Sequence, residues 1–201
     1  MKTSPTFTLL EADNWQDYEL LDSGDGQKLE RFGKYIFSRP ESQAMWSRAL
    51  PASEWNNAHA VFQPSGEESG GHWDFKKRVD EKWVMSYPLP QLSEIKFSAM
   101  TTPGRHLGVF PEVASHWDFM ADTVRKAGRQ PNILNLFGYT GLASLAAAAA
   151  GASVTHVDAS KKSVTWAREN QELSGLKEKP IRWVVEDAIK YVQREEKRGV
   201  K

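Results

Sequence analysis

The sequence predicts an α/β protein: a β-rich segment first, then strands alternating with helices around a parallel sheet. Three observations lead there. From Pro131 onward, short apolar runs (Asn132–Phe137, Ser153–Val157, Ile181–Val185) alternate with helix-length segments, which is the spacing of βαβ units. Glycines stand where a strand gives way to a helix, at Gly138 and Gly141, and where helices stop, at Gly151 and Gly175, as helix termini and tight turns require. From Leu20 to about Pro90 the texture differs, with brief apolar and aromatic alternations broken by turn residues, the pattern of a small antiparallel β module.

Composition bounds the function. The 201 residues carry 26 Lys and Arg against 26 Asp and Glu, with 40% hydrophobic and 26% charged residues. Such a chain folds around a core rather than staying disordered. Its zero net charge argues against a strongly basic nucleic-acid or membrane-surface binder. Cysteine is absent, which excludes a disulfide framework, a thiolate zinc site and a cysteine nucleophile from these residues. The run of small apolar residues from Leu142 to Ala152 falls well short of the ~20 residues that span a bilayer. Met1–Leu10 holds one Lys and no apolar stretch of signal-peptide type, so the expectation is a soluble cytoplasmic protein with no membrane partner.

Element by element, Asp22–Gly26 is a turn cluster, Leu29–Phe37 a strand ended by Arg39-Pro40, and Ala58–Gln63 and Val79–Tyr87 further strands separated by the loop Pro64–Gly71. Trp46, Trp55, Trp73 and Trp83 are expected in the core of this module, with base stacking by one of them as the alternative. Pro88–Pro90 marks a boundary, dividing the chain into residues 1–90 and 91–201. Beyond it come a strand at Ile95–Met100, a polar loop at Thr101–Gly108, and a helix at His116–Arg129 with Ser115 as its N-cap. The tetrapeptide His-Trp-Asp-Phe occurs at 72–75 and again at 116–119, in flanks too different for a repeat. Helices follow at Leu142–Ala150, Lys161–Leu173 and Asp187–Lys197.

The stretch Asn135-Leu-Phe-Gly-Tyr-Thr-Gly141 carries the chemistry. Gly138 and Gly141 let the backbone turn tightly and approach a ligand, and the next helix offers free N–H groups at its positive end. Asp158 ends the second strand, about 20 residues on, where an acidic side chain meets the ribose hydroxyls of an adenosine cofactor. Asp187, just past the third strand, falls on the same edge. Each feature also has a plain structural reading: an ordinary strand-to-helix turn, a cap of the following helix by Asp158, and an N-cap by Asp187. The G-x-x-G spacing lacks the middle glycine that admits a pyrophosphate in G-x-G-x-x-G, which favours a smaller adenosyl ligand without phosphates. His59, His72, His106, His116 and His156 show no ligand spacing, so no metal is expected. Lys76-Lys77-Arg78 and Lys161-Lys162 read as solvated faces.

Asn135–Gly141, then Val157-Asp-Ala-Ser-Lys-Lys162, then Ala167-Arg-Glu-Asn170 with Leu173-Ser-Gly175 resemble the class I S-adenosylmethionine-dependent methyltransferases, above all the bacterial large-subunit ribosomal RNA methyltransferase group. Pro103–Glu112 is similar to the segment that precedes the cofactor domain in that group. The resemblance covers about residues 93–201. It implies a Rossmann-like fold, S-adenosyl-L-methionine as cofactor and RNA as substrate. It also implies that Phe137, Gly138, Tyr139, Thr140 and Gly141 hold the methionine end, and that Asp158 takes the ribose hydroxyls. Ala159 and Ser160 would lie beside the adenine and Asp187 and Ala188 at its amino edge, with Asn135, Phe110 and Arg105 as further contacts. The group's next element is a fourth strand ending in Asp/Asn-Pro-Pro, which has no counterpart before Gly199-Val200-Lys201. The expectation is therefore a methyltransferase domain truncated after its third strand, a fragment of a longer protein, because three strands alone leave the first one as an edge. No catalytic residue is named. A nicotinamide- or adenine-nucleotide-binding oxidoreductase domain and a non-catalytic interaction module remain the alternatives.

Overall fold

Two glycine-bearing turns shape the amino-terminal sheet. Asp25 and Gly26 both adopt positive φ (52° and 74°), the requirement of a two-residue type I′ hairpin. They join β1 (Tyr18–Gly24) to β2 (Gln27–Phe32). Gly33 (φ 60°) opens the next two-residue turn, into β3 (Tyr35–Pro40). The run Leu29–Phe37, which reads as one strand by composition, is thus two antiparallel strands. The computed structural model describes residues 9–66 and 70–199. Met1–Thr8 of the leader reading, the centre of the Pro64–Gly71 loop, and Val200 and Lys201 lie outside them.

After the short helix α1 (Ala52–Trp55), β4 (Ala60–Pro64) pairs with β3 in parallel, through Phe37↔Ala60 and Ser38↔Val61. The sheet is therefore mixed, not purely antiparallel, because a crossover returns the chain in the same direction. β5 (Gly71–Phe75) completes the order β1-β2-β3-β4-β5. This strand carries the first His-Trp-Asp-Phe, whereas the second lies in a helix. Phe37 stacks on Trp83 at 5.6 Å and meets Trp73 edge-on at 5.4 Å. Trp55, Trp73 and Trp83 are buried as expected, but Trp46 is 57% exposed. Its indole N–H donates to the Ser23 carbonyl at 2.8 Å, so the backbone, not the core, holds it.

β6 (Trp83–Tyr87) and β7 (Ile95–Ala99) form an antiparallel hairpin, shorter at its start than the run Val79–Tyr87. Pro88–Pro90 opens its connection, residues 88–94. One apolar cluster runs from Phe32 and Phe37 through Tyr87 and Phe97 to Trp117 and Leu145, so both halves of the chain share a core. A buried ion pair ties the sheet to the loop that follows. The Arg39 guanidinium donates to both Glu30 carboxylate oxygens at 2.8 Å and to the Arg105 carbonyl at 3.0 Å.

A 3₁₀ turn (Pro111–Val113) leads into α2 (Ala114–Lys126). Proline, pre-set for a first helical turn, starts this helix before His116. Ser115 lies inside it and caps nothing. The parallel sheet has the order β10-β9-β8, with β8 Asn132–Leu136, β9 Ser153–Asp158 and β10 Ile181–Val185. Between them run α3 (Leu142–Ala149) and α4 (Lys161–Leu173), and α5 (Ala188–Lys197) follows β10. Leu145 and Ala146–Ala148 are fully buried, since small side chains let α3 lie close on the sheet. β8 is not the buried strand its apolar residues suggest. It is an edge, with Leu134 48% exposed.

Candidate functional site

The glycine turn is held in an unusual conformation by its neighbours. Phe137 and Tyr139, neither of them glycine, adopt positive φ (55° and 51°), and Gly141 does so at 89°. Such residues cost of order 1–3 kcal/mol each and persist where surrounding structure over-determines them. Here Gly138 N–H donates to the Val157 carbonyl at 3.0 Å and Gly141 N–H to the Gly138 carbonyl at 3.0 Å. Tyr139 N–H donates to Asp158 Oδ2 at 2.9 Å. The Thr140 hydroxyl donates to the Gly108 carbonyl at 2.6 Å, and Asn170 Nδ2 donates to the Thr140 carbonyl at 2.9 Å. Glycine is obligatory at 138, where a Cβ would lie 2.3 Å from the His156 ring, and at 141, where it would lie 2.8 Å from the Ala167 methyl.

Asp158 does not cap α4. Ser160 does, its hydroxyl accepting Ser163 N–H at 3.2 Å. Asp158 instead joins two loops, Oδ2 accepting from Tyr139 N–H and Oδ1 from Ser160 N–H at 2.8 Å. Each carboxylate oxygen keeps a second lone pair, so two hydroxyl donors fit without breaking either bond. Asp187 is exposed and caps α5, accepting Lys190 N–H at 2.9 Å. Ala159 and Ser160 are exposed on the same carboxyl edge, while Ala188 is buried beneath α5.

Phe110, Asn135, Phe137, Gly138, Tyr139 and Thr140 line one hollow of about 140 Å³ beside the amino end of α3. The Phe110 and Tyr139 rings are 5.2 Å apart, and Phe137 stands 73% exposed at the rim. Arg105 is not brought there. It lines a smaller neighbouring pocket with Arg39, His106 and Glu112, and Val109 and Phe110 line both. Ser160 borders a wider groove of about 710 Å³ with Tyr139, Lys161 and Trp166. Burial raises the pKa of the Tyr139 hydroxyl. Burial, then the Arg39 and Arg105 charges, lower that of His106. Burial holds His156 at about 4, against the pull of Asp158. Among the described residues no cluster of three or more His, Asp or Glu could hold a metal, and no helix is long and apolar enough to cross a membrane.

Nothing in the sequence points to a role for Ser144, Trp166 or Asn170, and His156 stands out there only as a histidine without ligand spacing. His156 was within reach, because parallel pairing sets it directly across from Asn135.

No family model matches the chain. The ribosomal RNA large subunit methyltransferase K/L of Shewanella loihica is 47% identical over 62 residues, 30% of this chain and 9% of that protein. Its counterpart from Shewanella sp. W3-18-1 is 45% identical over 146 residues, 72% of this chain and 20% of that protein. The chain thus spans a fifth or less of these curated relatives. The SAM-dependent methyltransferase from Agrobacterium tumefaciens superposes with a TM-score of 0.88 at 48% identity, over 97% of this chain and 60% of that one. A candidate SAM-dependent methyltransferase from Streptococcus mutans, at 16% identity and a TM-score of 0.67, covers 93% of this chain and 50% of that one and shares the fold. The chain therefore has the α/β methyltransferase fold and resembles SAM-dependent methyltransferases, among them those of large-subunit ribosomal RNA.

Proposed function

We propose that this chain holds S-adenosyl-L-methionine at the carboxyl edge of its parallel sheet, as part of an enzyme that transfers the sulfonium methyl to RNA. The observation that carries the reading is the strained loop Phe137–Gly141, pinned to Asp158. The backbone of that loop and the amino end of α3 take the methionine end. Asp158 accepts the two ribose hydroxyls, Ala159 and Ser160 flank the adenine, and Asp187 and Ala188 lie at its amino edge. Phe110 lines the hollow beside Tyr139, and Arg105 would reach the ligand only from the adjoining pocket that it lines. The sulfonium supplies an already activated methyl group, so the residues here have to orient it and exclude water. RNA is favoured as substrate by the names of the Shewanella relatives, and a ribosomal substrate implies the cytoplasm. Residues 1–90 form a β-rich module in this reading. Residues 91–201 form the first part of the cofactor domain, the substrate-side strands belonging to a longer protein, as the 60% coverage of the Agrobacterium protein suggests.

The test is calorimetric titration of S-adenosylhomocysteine into the chain, with NADH as control, repeated on Asp158→Ala. Saturable binding of the first ligand alone, lost in the variant, is expected. Preferential binding of NADH would replace this reading with an oxidoreductase one.

A further inference from the structure

Beneath the glycine loop, side chains from three strands and one helix meet. Asn135 on β8 and His156 on β9 are direct partners in the parallel ladder, and Trp183 on β10 is the partner of His156. Matched register turns all three to one face of the sheet. Ser144, in the first turn of α3, descends onto that face. Its Oγ accepts Asn135 Nδ2 at 2.9 Å and lies 3.0 Å from His156 Nδ1. Ser144 and His156 are fully buried. In the neutral tautomer with its proton on Nε2, His156 Nδ1 accepts the Ser144 hydroxyl proton while Ser144 Oγ accepts from Asn135. Nε2 has no hydrogen-bond partner among the described residues. The ring is wedged between Gly138, which leaves no room for a Cβ, and Trp183 at 4.6 Å.

In that tautomer the chain of donors runs one way, from Asn135 through Ser144 to His156, and it orients the amide. With Nδ2 turned inward, Asn135 Oδ1 is left without a donor among the described residues, on a side chain that lines the hollow. A neutral acceptor oxygen beside the amino end of α3, whose free N–H groups favour a carboxylate, matches the two ends of an α-amino acid. We propose that Ser144 and His156 are positioning residues that hold the Asn135 oxygen as a fixed acceptor for an ammonium. The site then discriminates for the amino-acid end of an S-adenosyl compound. This inference rests on the cofactor reading above.

Two probes separate it from that reading: S-adenosylhomocysteine, and 5′-methylthioadenosine, which keeps the adenosine but has no amino-acid end. Both are titrated into the full chain and into Ser144→Ala, which adds one more alanine to an alanine-rich helix. The expected result is about tenfold weaker binding of S-adenosylhomocysteine with the affinity for methylthioadenosine unchanged. His156→Asn, whose side-chain oxygen stands in for Nδ1, is expected to keep the preference, and His156→Leu to lose it. Thermal melts report whether each variant is folded. An unchanged affinity ratio in Ser144→Ala, or an equal loss for both probes, would overturn the positioning role while leaving the cofactor reading standing. A wild-type chain that binds neither probe would overturn the cofactor reading itself, and the positioning role with it.

Discussion

The Asp158 carboxylate accepts the backbone N–H of Tyr139 at 2.9 Å, so the residue at the end of β9 holds in place the most strained part of the loop that follows β8. One side chain thereby couples the two strand ends on which the adenosyl ligand is proposed to lie, and it does so before any ligand arrives. Removing it separates two effects that ligand contact alone does not. Asp158→Ala is expected to destabilise the chain by about 1–3 kcal/mol, because a constrained amide loses its charged acceptor. Urea melts check that loss in the absence of ligand.

Gly138→Ala is expected to be the more damaging change at the loop. The new methyl would lie 2.3 Å from a fully buried imidazole, and overpacking of this kind costs typically 1–3 kcal/mol. Gly128→Ala is the control. Gly128, unlike Gly138, has positive φ (65°), and it has open space around it, so only the backbone penalty of about 1 kcal/mol applies. Denaturant midpoints of the two variants, with S-adenosylhomocysteine titrations, check the contrast. Equal midpoints would show that the imidazole yields.

His156 links stability to pH. Its folded pKa is lowered to about 4 by burial, from an ordinary value of 6.5. Between these values the unfolded chain binds the proton and the folded chain does not. Its contribution is therefore fully present above pH 6.5 and is lost as pH falls toward about 4, at roughly 1.4 kcal/mol per pH unit. Unfolding free energies at pH 7.5 and pH 5 check this. The wild type is expected to lose more stability across that interval than His156→Asn.

Asp22 is the corresponding device in the amino-terminal sheet. Burial opposes its ionisation, but hydrogen bonds from Leu50 N–H, the Trp55 indole, Ala49 N–H and Ser23 N–H outweigh it and lower its pKa below 3.8. A lowered carboxylate pKa gives stability that is present above the unfolded value and lost as pH falls through the folded one. Asp22→Asn is thus expected to be destabilising at pH 7, with the difference from wild type shrinking below pH 4. Acid titration followed by tryptophan fluorescence reads it, since Trp55 donates to this carboxylate at 2.9 Å.

Local chemistry was legible where a few consecutive residues decide the outcome. The bounds of α4 and β10 follow from periodicity and from Gly175 as a stop. The loop between Gly138 and Gly141, and Asp158 at a strand end, follow from turn chemistry and spacing. Elements whose existence depends on a distant partner were not legible. β5 is a strand because β4 lies beside it, and the same four residues, His-Trp-Asp-Phe, are helical in α2. The parallel pairing of β3 with β4 depends on a crossover whose path no local pattern encodes. What the residues alone determine about this protein is a glycine turn, an acidic strand end and βαβ grammar. Only the tertiary structure decides that Asp158 grips Tyr139, that Arg105 faces a different pocket, and that Ser144 and His156 stand behind Asn135. The reason is physical: turns and caps are settled by dihedral angles within a few residues, whereas these contacts exist only once strands far apart in sequence have been brought into register.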